Sequence, residues 1–339
     1  MRDNGTWHDE LMSETQQNPE FKAEYDSFTQ ELAMLDEKQD NKIIMSQIKA
    51  KIIKDSTYNG TRIITIEAEY PTMLQAQLNT HRMVVRNCSS SRAIPTRNFI
   101  ETPFIPTKVG RNCAGMSAKE YLDGAELEAF QEDWLKLYQN INEQVLELQA
   151  KYNIHKQTLN RVLSSGFSTT KGVFTATLDS WLHVLMLRLH GDAQPEIQEL
   201  AERIKEAIEA STPQVLQYGE FHLPYVDSVE NGDDNINIKL SISQIAQVSY
   251  RKLDDTIEKA LKIFQQLHLL DHTPENPPHW SPCQHVMQAL GIDDTSDWLF
   301  DKFYNAGKKY YAEMGDSFVQ IAKFIENDKS LTIDLLEDF

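Results

Sequence analysis

Apolar and polar positions alternate on both sides of Asn59-Gly60. Ile48, Ala50 and Ile52 interleave with polar residues before it, and Arg62–Tyr70, rich in Ile and Thr, follows. A period of two flanking Asn-Gly predicts a β-hairpin with a tight turn. Pro71 ends the second strand, and Met73–Arg82 reads as a helix. The period then lengthens. Leu127, Phe130, Trp134, Leu137, Ile141, Val145 and Leu148 recur at helical spacing, which predicts a long helix over Glu126–Tyr152 with that face in the core. Gly172–Leu178 reads as a strand, and Asp179 or Ser180 as the cap of a short helix reaching Arg188. Ile197, Leu200, Ala201, Ile204 and Ile208 mark a helix from about Gln194 to Ala210, closed by Thr212-Pro213. Asn231–Asn235 is a turn or linker, Ile236–Tyr250 is apolar, Asp255–Leu270 is an amphipathic helix, and Asn276-Pro277-Pro278 breaks the chain again.

The two ends differ from this middle. Asn18-Pro19-Glu20 is a helix start, and Phe21, Tyr25, Phe28, Leu32 and Leu35 follow as one narrow apolar stripe. That helix either packs on the main body or pairs with a second subunit. The last residues read as helical with an acidic tail. Four segments result: an acidic helical extension over 1–46, a core over 47–229, a further core segment over 230–290, and a helical extension over 291–339. Helices outnumber strands, so the class is α+β.

Of 339 residues, 40% are hydrophobic and 25% charged, as in a soluble globular protein. No apolar run is long enough to span a membrane, and the N-terminus lacks a secretory signal. Three cysteines make no disulfide framework, so a reducing cytoplasm is expected. The net charge of −18 argues against nucleic-acid binding. A pocket for a small phosphate needs only a few local arginines.

Three polar clusters stand out. Thr80–Arg92 holds three arginines, one histidine and three serines within thirteen residues. Hydroxyls beside a guanidinium fork are the donors a phosphate monoester takes, although a polar loop with structural ion pairs uses the same residues. Leu187–Ile197 sets Arg188 just before a helix start, where an anion is also favoured. His279-Trp280-Ser281-Pro282-Cys283-Gln284-His285 suggests metal by composition, but its spacing is loose and no second half exists, so no metal is expected.

Together these clusters resemble the flavin-dependent thymidylate synthases. Thr80-His81-Arg82 through Arg86-Asn87 to Ser90-Ser91-Arg92-Ala93-Ile94-Pro95 is similar to that family's His-Arg signature, in a form common in phages and some bacteria. Leu187-Arg188 with Ala193-Gln194-Pro195-Glu196-Ile197 resembles its second block. His155-Lys156-Gln157, Asn160-Arg161 and Thr175-Ala176-Thr177 resemble the segment between, and Gly110-Arg111-Asn112 with Gly115-Met116 fits the same branch. Ser281-Pro282-Cys283-Gln284-His285 resembles a Ser-Pro-Phe-Glu-His block that usually comes first. Here it comes last, led in by Ser243–Tyr250, which implies a circularly permuted core of mostly antiparallel sheet packed with long helices.

The resemblance implies transfer of one carbon from methylenetetrahydrofolate to C5 of dUMP, giving dTMP, with FAD as cofactor and NADPH as reductant. It implies a homotetramer with sites between subunits. It places Gln77, Ser89, Ser90, Arg92, Arg161 and Arg188 at the nucleotide, with Arg188 stabilising charge on the pyrimidine. His81, Arg82, His183 and His285 fall at the flavin. Several positions depart from the family: Val85 for Ser, Cys88 for Glu or a small residue, His183 for Asn, Thr80 for Arg, Cys283-Gln284 for Phe-Glu, and Ser164-Ser165-Gly166 for Glu-Pro. They leave open a hydroxymethylase acting on dUMP or dCMP, or an inactive nucleotide-binding assembly protein. Cys88 is either a small buried residue or a catalytic thiolate whose pKa nearby arginines lower.

Overall fold

The structure is a computed structural model that describes residues 47–96, 103–115, 117–163, 168–226, 234–250, 254–269, 275, 278–290 and 317–322. The stripe at 21–35, Met116, Ser164-Ser165-Gly166, Asn231-Gly232-Asp233, Asn276-Pro277 and residues 298–311 lie outside them. The chain divides into two units, Met1–Ser46 and Gln47–Phe339, and every described residue belongs to the second.

β1 (Lys49–Tyr58) and β2 (Thr61–Pro71) pair antiparallel across Asn59-Gly60. Asn59 and Gly60 have φ of 47° and 79°, the two positive values that a tight hairpin turn needs and that these residue types tolerate. A 3₁₀ turn at Thr72–Leu74 leads into α1 (Gln75–Leu78), β3 (Val85–Cys88), α2 (Gly124–Tyr152) and α3 (Lys156–Leu163). Then come β4 (Thr169–Thr177), α4 (Leu178–Arg188), α5 (Pro195–Ala210), β5 (Gln214–Val215) and β6 (Phe221–His222). α6 (Asp234–Gln247), α7 (Ile257–Gln266), β7 (Met287–Ala289) and β8 (Phe318–Gln320) complete the described elements. The main sheet has the order β3-β4-β2-β1-β5 and is antiparallel except where β5 joins β1. A three-stranded antiparallel sheet has the order β6-β7-β8. The fold is α+β with antiparallel pairing in the majority. No helix among the described residues is long and apolar enough to cross a membrane.

Register sorts the main sheet into two faces. Ile64, Ile66, Ala68 and Tyr70 of β2 and Phe174 and Ala176 of β4 lie on one face. Trp181, Val184 and Leu185 of α4 and Ile197, Leu200, Ala201, Ile204 and Ile208 of α5 pack over them. The α5 stripe is the predicted one. Trp181 Nε1 also donates to Ile64 O at 3.1 Å, which fixes α4 on the strand. The other face carries Thr65 and Thr175, covered by His222, α6 and the segment around His285. A bulge between Ile52 and Lys54 inserts one residue into β1. It reverses the alternation beyond that point, so Ser56 reaches His222 while Asp55 meets Arg62.

Four expected elements differ. The helix over Met73–Arg82 shrinks to Gln75–Leu78, because i→i+3 bonds and the Thr80 hydroxyl, which donates to Gln77 O at 2.7 Å, turn the chain out of helix. α4 starts earlier than Asp179, capped by Thr177 Oγ1 accepting from Ser180 N at 3.3 Å. α6 already begins at Asp234, inside the expected linker. α2 spans the predicted residues, but its apolar stripe is not core: only Val145 of the seven is buried, and Leu137 and Leu148 are 47% and 45% exposed. Its covered positions are Gln131, Tyr138, Asn142 and Val145, where Gln131 Nε2 donates to Pro106 O.

The covered polar face is a continuous seam. His222 Nδ1 meets Ser56 Oγ at 2.9 Å, and its Nε2 meets Thr65 Oγ1 at 2.7 Å. Thr65 meets Thr175 at 2.7 Å, and Thr175 meets His285 Nδ1 at 2.7 Å. Burial, helped by the Lys54 and His285 charges, lowers His222 from 6.5 to about 3, and burial alone does the same to His285. Both rings stay neutral in the fold, whereas the unfolded chain takes protons below 6.5. Stability therefore falls as pH drops from 6.5 toward 3, by roughly 1 kcal/mol per pH unit for each ring. Glu67, whose pKa is lowered by Tyr225 and Lys51 against the opposing effect of burial, adds its own loss only below its ordinary 4.5. Urea midpoints between pH 7 and 5 isolate the histidines; a midpoint flat across that window contradicts the seam.

Candidate active site

Residues 75–92 run along one end of the apolar sheet face. The early end of α1 turns the chain so that His81 points inward, 8% exposed, while Arg82 and Met83 face solvent. His81 lines a small apolar cavity of about 10 Å³ with Leu78, Val84, Phe174, Trp181 and Leu200, room for one water at most. Burial lowers His81 to about 4, with the Arg188, His183 and Arg86 charges acting the same way.

Arg188, at the C-terminal end of α4, reaches this turn. Its Nε donates to His81 Nε2 at 2.9 Å. Its Nη2 donates to Thr80 Oγ1 at 3.0 Å and Gln77 O at 3.3 Å, and Nη1 to Gln77 Oε1 at 3.5 Å. Gln77 is itself held, since its Nε2 donates to Gln194 Oε1 at 2.7 Å. Arg86 donates to His81 O at 3.1 Å and Val84 O at 3.3 Å. The acceptors that Arg188 and Arg86 use are all neutral, and Gln194 in turn donates to Glu196 Oε2 at 2.8 Å.

Beyond β3 the chain turns through Ser89–Arg92. Arg92 Nε donates to Gln157 Oε1 at 3.2 Å, and Asn160 Nδ2 donates to Ser91 O and Ile94 O at 2.7 and 2.9 Å. α3 thus clamps the loop and sets the exposed Arg161 beside it. Ser90 Oγ accepts from Arg92 N at 3.3 Å, which leaves its O–H free to donate. Ser89 differs: its O–H donates to Val248 O at 2.9 Å, so it anchors the loop to the turn after α6.

The charge pattern sets these arginines apart. Arg62 pairs with Asp55, Arg111 with Glu126, and Arg203 with Glu199 and Glu206. Among the described residues, no carboxylate pairs with Arg82, Arg86, Arg92, Arg161 or Arg188. Five guanidiniums without a carboxylate partner among the described residues, in a chain of net charge −18, carry positive charge of the kind an anion pairs with.

The structure joins Gln77, His81 and Arg188 by hydrogen bonds, places His183 within electrostatic reach of His81, and carries Ser89, Ser90 and Arg92 on the next turn. His285 is not among them. It is fully buried on the opposite sheet face, with Nε2 unpartnered, because residue 175, which holds it, alternates away from the α4 side. Its block still packs against the first one: Ser281 Oγ lies 3.2 Å from both Arg86 O and Asn87 Oδ1, and Asn87 Nδ2 donates to Ile245 O at 2.6 Å. Cys88 has a half-buried setting. It faces Tyr70, whose O–H lies 3.5 Å from its Sγ, and burial raises the thiol more than Tyr70, Gln75 and Arg86 lower it. That is opposite to what a thiolate needs. Gln194 and Asn160 have roles that their motif positions did not reveal; their spacing from Gln77 and Ser91 along the chain leaves no local signal.

The sequence model of a family described as thymidylate synthase complementing protein matches residues 17–214. Thymidylate synthase X from Helicobacter pylori, solved with FAD and dUMP, is 19% identical over 43% of this chain and 67% of that one, with a TM-score of 0.30. The UMP/dUMP methylase PolB from Streptomyces cacaoi, bound with 5-Br UMP, is 17% identical over 48% of this chain and 89% of that one, with a TM-score of 0.40. No curated protein matches the chain.

Thiol reactivity checks the environment of Cys88. Iodoacetamide at pH 7.5 is expected to alkylate the exposed Cys113 first, Cys88 at least about tenfold more slowly, and the fully buried Cys283 only on unfolding. Mass spectrometry of tryptic peptides reads the order; Cys88 reacting first restores the thiolate.

Proposed function

The chain belongs to the thymidylate synthase complementing protein family, and from that membership we propose a flavin-dependent enzyme that modifies dUMP. The observation that carries this reading is the set of arginines at and beside the His81–Arg188 network that have no carboxylate partner among the described residues, in a chain of net charge −18. A nucleotide monophosphate supplies the missing negative charge, and a guanidinium fork matches its oxygens.

The reaction is transfer of one carbon from methylenetetrahydrofolate to C5 of dUMP, giving dTMP, with NADPH as reductant. Ser90 donates its O–H to the phosphate, with Arg92 and Arg161 alongside. Gln77 holds Arg188, and Arg188 offers Nη1 to the pyrimidine edge. There it stabilises the negative charge that builds as C5 becomes nucleophilic. The exposed Arg82 and His183 and the ring of His81 are donors of the kind that a flavin's carbonyl edge and phosphates take. FAD, when bound, supplies the hydride chemistry.

A nucleotide or flavin is far larger than the cavity beside His81, so it lies on the open face. Met83, Leu182, Met186, Leu187 and Leu189 are exposed around that face, and the α2 stripe is half-covered. Apolar area of this kind is covered by another copy, in keeping with a homotetramer whose subunits share sites.

Purified protein is expected to be yellow, with an FAD spectrum that dUMP perturbs. Product mass after incubation with dUMP, methylenetetrahydrofolate and NADPH separates dTMP from a hydroxymethylated nucleotide. A colourless protein that binds no pyrimidine nucleotide overturns the reading. Arg188→Met is expected to weaken dUMP binding by about a hundredfold, measured by flavin absorbance titration. Light scattering on the eluting peak reads the oligomer, and a monomer rejects the shared-site arrangement.

A further inference from the structure

Arg188 and His81 determine each other's chemistry. A guanidinium has five N–H donors and no lone pair with which to accept. The 2.9 Å contact from Arg188 Nε to His81 Nε2 therefore needs a lone pair on that ring nitrogen. The ring is left neutral, with its proton on Nδ1. Nδ1 makes no hydrogen bond among the described residues and is not one of the sealed, unpartnered buried atoms. Its N–H has no acceptor among the described residues.

The fork of Arg188 is equally constrained. Nη2 is taken up by Thr80 Oγ1 and Gln77 O. Among the described residues Nη1 reaches only Gln77 Oε1, at 3.5 Å, and keeps a second N–H with no acceptor. The Nε–Nη2 edge is taken up by His81, Thr80 and Gln77, and Nη1 is the least occupied nitrogen. Thr80 is itself oriented. Its O–H points to Gln77 O at 2.7 Å, which turns its lone pairs to Arg188. A longer basic side chain at this position has no such lone pair to give.

The geometry points to Thr80, His81 and Arg188 as one positioning unit: Thr80 sets the direction of the Arg188 fork, and Arg188 fixes His81 as a hydrogen-bond donor through Nδ1. The two donors without a full complement of acceptors among the described residues, Nη1 and Nδ1–H, suit an acceptor-only edge such as a pyrimidine carbonyl or a phosphate oxygen. The unit rests on the nucleotide-site reading for its ligand, but the tautomer of His81 does not.

Two measurements on the full-length protein test it. Nitrogen-15 NMR of histidine-labelled protein at pH 7, with the signal assigned by its loss in His81→Gln, is expected to show a neutral His81 protonated on Nδ1. A signal protonated on Nε2, or on both nitrogens, overturns the unit in the wild type itself, so no variant needs to fold for the test to count. In steady-state kinetics, Thr80→Val is expected to raise KM for dUMP about tenfold with kcat within about twofold, and Thr80→Ser to restore KM. An unchanged KM in T80V, or a loss in T80S equal to that in T80V, overturns the role of Thr80. An Nδ1-protonated His81 in a protein that binds no dUMP supports the unit while rejecting the nucleotide reading.

Discussion

The antiparallel pairing of β2 with β4 is the constraint on which the rest depends. Nine residue pairs, from Ile63 with Thr177 to Pro71 with Thr169, lock the two strands in register. Since side chains alternate, that register sends Ile64, Ile66, Phe174 and Ala176 one way and Thr65 and Thr175 the other. The first set needs an apolar cover, and α4 supplies it directly, because β4 runs into α4 at Thr177. Arg188 therefore arrives at the His81 turn as the end of a helix that packing on Ile64 and Phe174 has already aimed. A slip of one residue would put threonines against Trp181 and leave Arg188 without its partners.

The same alternation explains why the two polar systems differ in kind. On the covered face, Ser56, His222, Thr65, Thr175 and His285 are neutral groups that satisfy one another almost completely. A buried network of this sort costs little only while nearly every member is paired, and it then rigidifies what it joins. It joins β1, β2 and β4 to residues 221–226 and 281–285, which lie far away in sequence. At the end of the α4 side the groups are charged and have no carboxylate partner among the described residues. Arg188 is oriented by neutral acceptors alone, so its charge is directed without being cancelled. The covered face ties distant segments together through neutral groups, and the end of the α4 side carries directed charge beside the apolar core.

What was legible in the sequence follows the range of the interactions involved. The Asn59-Gly60 hairpin and the α5 stripe rest on neighbours within a few residues, and both were readable. The His-Arg cluster was readable as a block because its residues are contiguous in sequence, on the turns either side of β3. The end of α1 was not, because Thr80 competes for Gln77 O with a side-chain bond that propensity averages over. The bulge at Ile52–Lys54 was invisible since alternation looks intact on each side of it. The burial of His285 was invisible for a different reason. Its environment is made by residue 175, 110 positions away, and no local pattern tells which sheet face a distant block will cover. The α2 stripe was read as core because periodicity reports amphipathicity, and amphipathicity does not say whether the cover comes from the same chain.

The departures from the family pattern take on physical meaning in this setting. Thr80 is a change of role rather than a loss: a hydroxyl supplies an acceptor to Arg188 where a guanidinium would repel it. Cys88 lies opposite Gly172, where an added Cβ would come within 3.0 Å of its Sγ and closer still to the Phe174 ring. The small residue at 172 therefore leaves space for the thiol beside Tyr70, and size and polarisability account for Cys88 without nucleophilic chemistry. Val85 faces the covered side, opposite Thr175, where a hydroxyl would add a further polar group to a seam already closed by His222 and His285. Thus two of the three positions, 85 and 88, answer to packing around the sheet. Of these three, Thr80 alone touches the Arg188 guanidinium, so it is the one that bears on the direction of that charge.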